Sequence, residues 1–207
     1  MAEHTREFQF ELTGGRLCLD FANTLDNRRA LQPQERLNRY ADLVAWSRQT
    51  GVLRQAEAHR LLREAARCPR AALAVIEAAI ELREAIFEIF AAAVAGKKPS
   101  ATSLARLNEH VARALGRLRL APAKNGYAWS WAAEFGGLGR MLWPVARSAA
   151  ELLTSPELSA VRECAAEECG WLFLDRSKNR SRRWCDMKVC GNRSKVRRYY
   201  QRTRARQ

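Results

Sequence analysis

Apolar positions recur along the 207 residues mostly at helical spacing, which predicts a largely α-helical chain. Phe8 to Leu12 alternates as a short strand would, and Gly14-Gly15 then makes a turn. Leu17, Phe21, Thr24 and Leu25 follow on one face of a first helix. Tyr40 to Gln49, stopped by Gly51, and Gln55 to Arg67, stopped before Pro69, read as two more. The longest helix spans about Arg70 to Ala95, with Leu73, Ile76, Ile80, Phe87 and Phe90 along it and Gly96 and Pro99 ending it.

Ser100 is a good N-cap for a further helix carrying Leu104, Leu107, Val111 and Leu115. Two extended pieces, Arg117 to Ala121 and Tyr127 to Trp131, flank a hairpin turn whose strongest signal is Asn125-Gly126. Gly136-Gly137 precedes a last body helix, about Leu138 to Leu153, and Thr154-Ser155-Pro156 marks a boundary. A body over 1–155 and a small module over 156–207 are expected.

Charge separates the same two parts. The net charge is +14, yet residues 171–207 hold 13 Lys/Arg against only Asp175 and Asp186. A near-neutral body with so basic a tail implies a polyanionic partner; a solubilising or disordered tail is the plainer alternative. No apolar run approaches the roughly 20 residues that span a bilayer. Met1 to Phe10 lacks the apolar stretch of a signal peptide, so a reducing, cytoplasmic setting is expected.

In such a setting six cysteines point to thiols or metal ligands. Four of them form Cys164-x4-Cys169-x15-Cys185-x4-Cys190. Two close pairs on either side of a hairpin-length insert can bring four thiolates to the corners of a tetrahedron. Within the insert, Trp171 to Leu174 has strand composition, Ser177 to Ser181 is polar enough for a turn, and Arg183-Trp184 leads back to Cys185. One structural zinc ion is expected, because four thiolates leave it no open position for catalysis. Buried free cysteines, a redox pair and an iron–sulfur cluster are the competing readings. Cys18 and Cys68 stand alone and read as small buried or half-buried side chains. The expected fold class is mainly α with a small antiparallel β element, followed by a zinc-binding β-hairpin plus helix.

After Cys190, Gly191 would allow a sharp turn beside the metal and Asn192 would cap a basic helix. Val196, Tyr199 and Tyr200 would pack on the hairpin. Arg193, Lys195, Arg197, Arg198 and Arg202, joined by Arg176, Lys178, Arg180, Arg182 and Arg183, would form a surface for nucleic acid. In the body, Asp20, Asn23 and Asn27 would share one helical face and, with Arg83, could line a ligand pocket. The simpler reading of these groups is a buried hydrogen-bond network. His4, His59 and His110 have no nucleophile or metal motif around them, and no glycine-rich phosphate loop is present, so a non-catalytic protein is expected.

The run from Cys164 through Cys169-Gly170-Trp171-Leu172-Phe173-Leu174-Asp175-Arg176-Ser177, Arg182-Arg183-Trp184-Cys185 and Cys190-Gly191-Asn192-Arg193 resembles the CGNR zinc-finger domain. Gly14-Gly15-Arg16-Leu17-Cys18-Leu19-Asp20-Phe21-Ala22-Asn23-Thr24-Leu25 resembles the start of the ABATE domain, which precedes that finger in bacterial proteins. The resemblance implies a stress-induced type of transcription regulator, with zinc on Cys164, Cys169, Cys185 and Cys190, a finger that binds DNA, and a body that senses a signal. The expected role of the helical body is to sense a small molecule or to mediate dimerisation. An RNA-binding or ribosome-associated factor, and an enzyme of small molecules with a site near Asp20, Asn23 and Arg83, are the alternatives.

Overall fold

The helical periodicities of the body close into α1 (Leu17–Ala22), α2 (Tyr40–Gln49), α3 (Gln55–Arg67), α4 (Pro69–Val94), α5 (Ala101–Leu115) and α6 (Leu142–Leu153). The structure is a computed structural model that describes residues 8–132 and 137–204, without the side chains of 198–200 and 202. The expectations that fall on residues 1–7, on Gly136 and on the side chains of Arg198, Tyr199, Tyr200 and Arg202 lie outside the described residues. Helix starts are satisfied by nearby side chains. Asp42 accepts from Arg39 N and Glu57 from Arg54 N, each at 3.0 Å, and Ser100 Oγ accepts from Ser103 N at 3.1 Å. Pro69 stands in the first turn of α4, where its missing N–H has no partner to lose.

α4 is the central helix. Ala79, Leu82, Ile86 and Phe90 are fully buried along it, and α1, α2, α3, α5 and α6 pack around it. Phe21 on α1 meets Trp46 on α2 edge-on at 5.0 Å. Each such buried side chain contributes about 1.5–3 kcal/mol through removal from water. Among the described residues no helix is long and apolar enough to cross a membrane. β3 (Leu118–Ala123) and β4 (Gly126–Trp131) form the hairpin that Asn125-Gly126 signals.

Several expectations are corrected. Phe8 to Leu12 is not a strand, because a side-chain amide takes the place of a partner strand. Gln49 donates to Phe10 O at 2.6 Å and accepts from Phe10 N at 2.8 Å. α1 stops at Ala22, since Thr24 Oγ1 donates to Phe21 O at 2.8 Å and competes with the helical ladder. Leu25 then opens β1 (Leu25–Asp26), antiparallel to β2 (Gln34–Glu35). Asp20, Asn23 and Asn27 therefore share no helical face, and Asn27 sits in a turn at φ 50°. α6 starts four residues later than expected: 138–141 form turns, and the Leu138 carbonyl accepts from the buried Tyr40 hydroxyl at 2.8 Å.

The C-terminal module is a hairpin plus helix, but the hairpin pairs other segments than the insert suggests. β5 (Val161–Glu163) precedes the cysteines and pairs with β6 (Leu172–Leu174), so Cys164 and Cys169 lie in the connection between them. Opposed residues of a hairpin point to one face. Val161 lies opposite Leu174, and both join Leu172 in the body core, whereas Phe173 points into a second cluster around the cysteines. Arg183-Trp184 could not supply that paired apolar face. α7 (Asn192–Arg204) follows a π-helical turn at Met187–Gly191.

The body and hairpin meet closely at Gly14, whose carbonyl accepts from Leu174 N at 2.8 Å. A Cβ there would lie 2.7 Å from Asp20 N and 2.8 Å from Leu19 Cβ. Gly14→Ala should cost about 2–3 kcal/mol by forcing this backbone apart. Equilibrium denaturant unfolding measures it, and an unchanged midpoint would refute the tight approach.

Candidate metal centre

Cys164, Cys169, Cys185 and Cys190 are all buried, and their Sγ atoms lie within 4.8 Å of one another. The Cys169–Cys185 and Cys185–Cys190 separations are 3.7 and 3.6 Å. A tetrahedron with metal–sulfur bonds of about 2.3 Å has edges of about 3.8 Å, so these spacings suit one zinc-sized ion. Without a cation the thiols are in conflict. Hydrogen bonds from Cys169, Cys185 and Cys190 drive the Cys164 thiol to ionise well below the usual range, while those with Cys164, Cys169 and Cys190 push Cys185 far above it. A divalent ion removes that conflict by stabilising all four as thiolates.

Local sequence shapes the cage. Gly170, next to Cys169, adopts φ 68°, a conformation other residues avoid, and so turns the first pair into β6. Burial works against the charge of Asp175, yet hydrogen bonds from Ser177 and Arg182 hold its carboxyl below the usual range. It accepts from Ser177 N and Arg182 N, each at 2.9 Å, and so closes the loop to the second pair. The second pair is set by Asp186, which accepts from Val189 N at 2.8 Å at the start of the π-helical turn. Asn192 is therefore not a cap. It lies inside continuous helix and donates to Lys188 O at 2.8 Å, and Gly191 needs no left-handed conformation.

The body grips this cage. Arg28 N donates to Cys169 O at 3.1 Å and Arg29 N to Glu168 O at 3.0 Å. The Arg29 guanidinium reaches Cys164 O at 3.3 Å and Glu163 at 2.6 Å. Trp171 Nε1 donates to Leu25 O at 3.0 Å. Asn23 is buried and pairs twice with Leu172, donating to its carbonyl at 2.8 Å and accepting from its N–H at 2.9 Å. Sequence reasoning missed Arg28, Arg29, Trp171 and Asp175 as parts of the centre. The polar run Asp26-Asn27-Arg28-Arg29 beside an apolar helix was the available signal for the two arginines, and the finger motif itself held Trp171 and Asp175.

The cationic residues fall into two groups. Arg176, Lys178, Arg180, Arg182, Arg183, Arg193, Lys195 and Arg197 are all exposed. Arg182 is nevertheless committed to its own loop, donating to Trp184 O at 2.8 Å and to Cys185 O and lying over Phe173. Arg197 pairs with Glu167 at 2.8 Å, Arg176 with Glu157 at 3.6 Å, Arg180 meets Ser159, and Arg183 lies over Trp184. Among the described residues Lys178, Arg193 and Lys195 make no ion pair. Val196, expected to pack on the hairpin, is 55% exposed.

The four body residues considered for a ligand are not brought together. Asp20 and Asn23 border a cavity of about 100 Å³, room for a few waters but well short of the roughly 300 Å³ of an ordinary ligand pocket. Burial pushes the Asp20 carboxyl up to about 6, and it accepts from Gly14 N at 2.8 Å. Asn27 lies instead at the groove between the cage and α7. Arg83 is buried and bound to Glu35 at 2.6 and 2.7 Å and to Glu84 at 2.8 Å. Cys18 is fully buried, its thiol pushed up to about 12 by burial, and Cys68 is exposed.

Residues 15–156 match the family model ABATE, described as "Putative stress-induced transcription regulator". Residues 160–203 match the CGNR zinc finger. No curated protein matches the chain. With the geometry of the four sulfurs, the finger match identifies the bound metal as a single structural zinc.

Proposed function

Because the chain belongs to the ABATE family and carries a CGNR zinc finger, we propose that it regulates transcription in the cytoplasm by gripping DNA through that finger. One observation carries the reading: among the described residues Lys178, Arg193 and Lys195 stand exposed and make no ion pair, on a frame that zinc holds rigid. Arg193 and Lys195 open a helix that follows directly from Cys190, so the metal fixes where these cations point. Phosphate oxygens are the natural partners of such groups, and the surrounding arginines add to the field. A signal received by the body has a direct path to this surface through Asn23 and Arg29, which hold the cage from below.

The test is fluorescence anisotropy of the zinc-loaded protein on genomic fragments across a salt series. Arg193→Ala and Lys195→Ala should each weaken binding and lower the slope of log affinity against log salt by about one. Unchanged affinity and slope in both variants would remove this surface from the reading. Structured RNA as competitor at fixed salt decides between the two nucleic acids.

A further inference from the structure

The β3–β4 hairpin is exposed along most of both strands, although two strands alone are marginally stable in water. Its register sets Leu118 opposite Trp131, Leu120 opposite Trp129 and Pro122 opposite Tyr127. Opposed residues share a face and every second residue returns to it, so these six side chains form one continuous apolar face. The other face carries Arg119, Ala121, Ala123, Gly126, Ala128 and Ser130. At the root Trp131 packs on Trp143, with ring centres 5.8 Å apart. Beyond the root the face runs out into solvent: Leu120 is 64%, Trp129 57% and Tyr127 78% exposed.

We propose that this face is a dimer contact, covered by the same face of a second copy of the chain across a two-fold axis. The area supports that occupant. With aromatic side chains of roughly 150–250 Å² each, the three exposed residues leave about 400 Å² of apolar surface. That matches the largest apolar patch of an ordinary monomer, a patch that is often functional. Two such faces, with Pro122 and the uncovered parts of Leu118 and Trp131, bury roughly 1,000–1,200 Å² in total, the lower edge of stable interfaces. A reversible dimer is expected, in the micromolar range.

Charge argues against nucleic acid on this face. Arg147, set over Trp129 at 5.9 Å, is bound to Glu151 at 2.6 Å. Arg119 on the opposite face donates back to the carbonyls of Gly116 and Leu118. Among the described residues Arg119 and Arg147 are thus already engaged, whereas a stacking platform for single strands needs free cations. A self-complementary contact needs none. The pairing rests on the hairpin and not on the reading of the finger, though two fingers would double the small area of DNA that one can bury.

Sedimentation equilibrium of the zinc-loaded full chain without nucleic acid tests this. The protein should dimerise across the micromolar range, and Leu120→Ser with Trp129→Ser should raise the dissociation constant at least about 100-fold. Tyr127→Glu at the tip should act in the same direction, and Arg119→Ser on the other face should leave the dimer intact. Circular dichroism confirms folding of each variant. A wild-type protein that stays monomeric, or a dimer that survives both hairpin-face variants, overturns the proposal. Anisotropy on the same samples separates the two readings: a dimer that does not bind DNA removes the proposed function and leaves this contact standing.

Discussion

Removing zinc under reducing conditions should unfold the finger and destabilise the body with it. Structural zinc contributes about 10–16 kcal/mol of binding free energy to finger peptides near neutral pH, comparable with the whole stability of a domain. The cage has little apolar core of its own: its cluster contains the four cysteines with Ala166, Trp171 and Phe173, and Trp184 packed alongside. The loss would not stop there, because Val161, Leu172 and Leu174 of the same hairpin are buried in the body core. If even 3–5 kcal/mol of the deficit reaches the body, the melting temperature falls by about 10 °C or more. Cys185→Ser should reproduce the effect of a chelator. Metal analysis should find one zinc per chain, and hydrogen exchange should show loss of protection from residue 161 onward. Metal-free reduced protein with unchanged melting and a protected finger would contradict this account.

The parts of the fold set by short-range rules were legible in the sequence. α2 and α3 follow from helical spacing and a stop, α5 from apolar spacing and a cap, and the β3–β4 hairpin from its Asn125-Gly126 step. The four zinc ligands were legible because four thiols at paired spacing have few other uses in a reducing setting. What could not be read depends on contacts distant in sequence. Phe10 needs Gln49 before its backbone can be placed, and β6 needs Val161, which lies on the far side of two cysteines. Asn23 looked like one of several polar groups on a helix, and only the fold shows its partner, Leu172, 149 positions away. Arg83 likewise suggested a pocket until Glu35 and Glu84 filled its hydrogen-bonding capacity.

These distant contacts give the body its hold on the finger, and Asn23 is the member whose removal is cleanest to interpret. Its amide completes the N–H and the carbonyl of Leu172 as a neighbouring strand would, in a place where both groups are buried. Asn23→Ala leaves two backbone groups unpaired away from water, each at about 1–3 kcal/mol, so a loss of about 3 kcal/mol or more is expected. Asn23→Asp should be no milder, since a carboxylate can still accept from Leu172 N but faces the Leu172 carbonyl with no proton to give. Asn108→Ala on the exposed side of α5 should stay within about 0.5 kcal/mol of wild type. Because the clasp holds β6, the two Asn23 variants should also release zinc to a chelator faster than wild type, while Asn108→Ala should not. If the Asn23 variants unfold at a lower denaturant concentration yet keep the wild-type rate of zinc release, the clasp stabilises the body alone and does not link it to the metal.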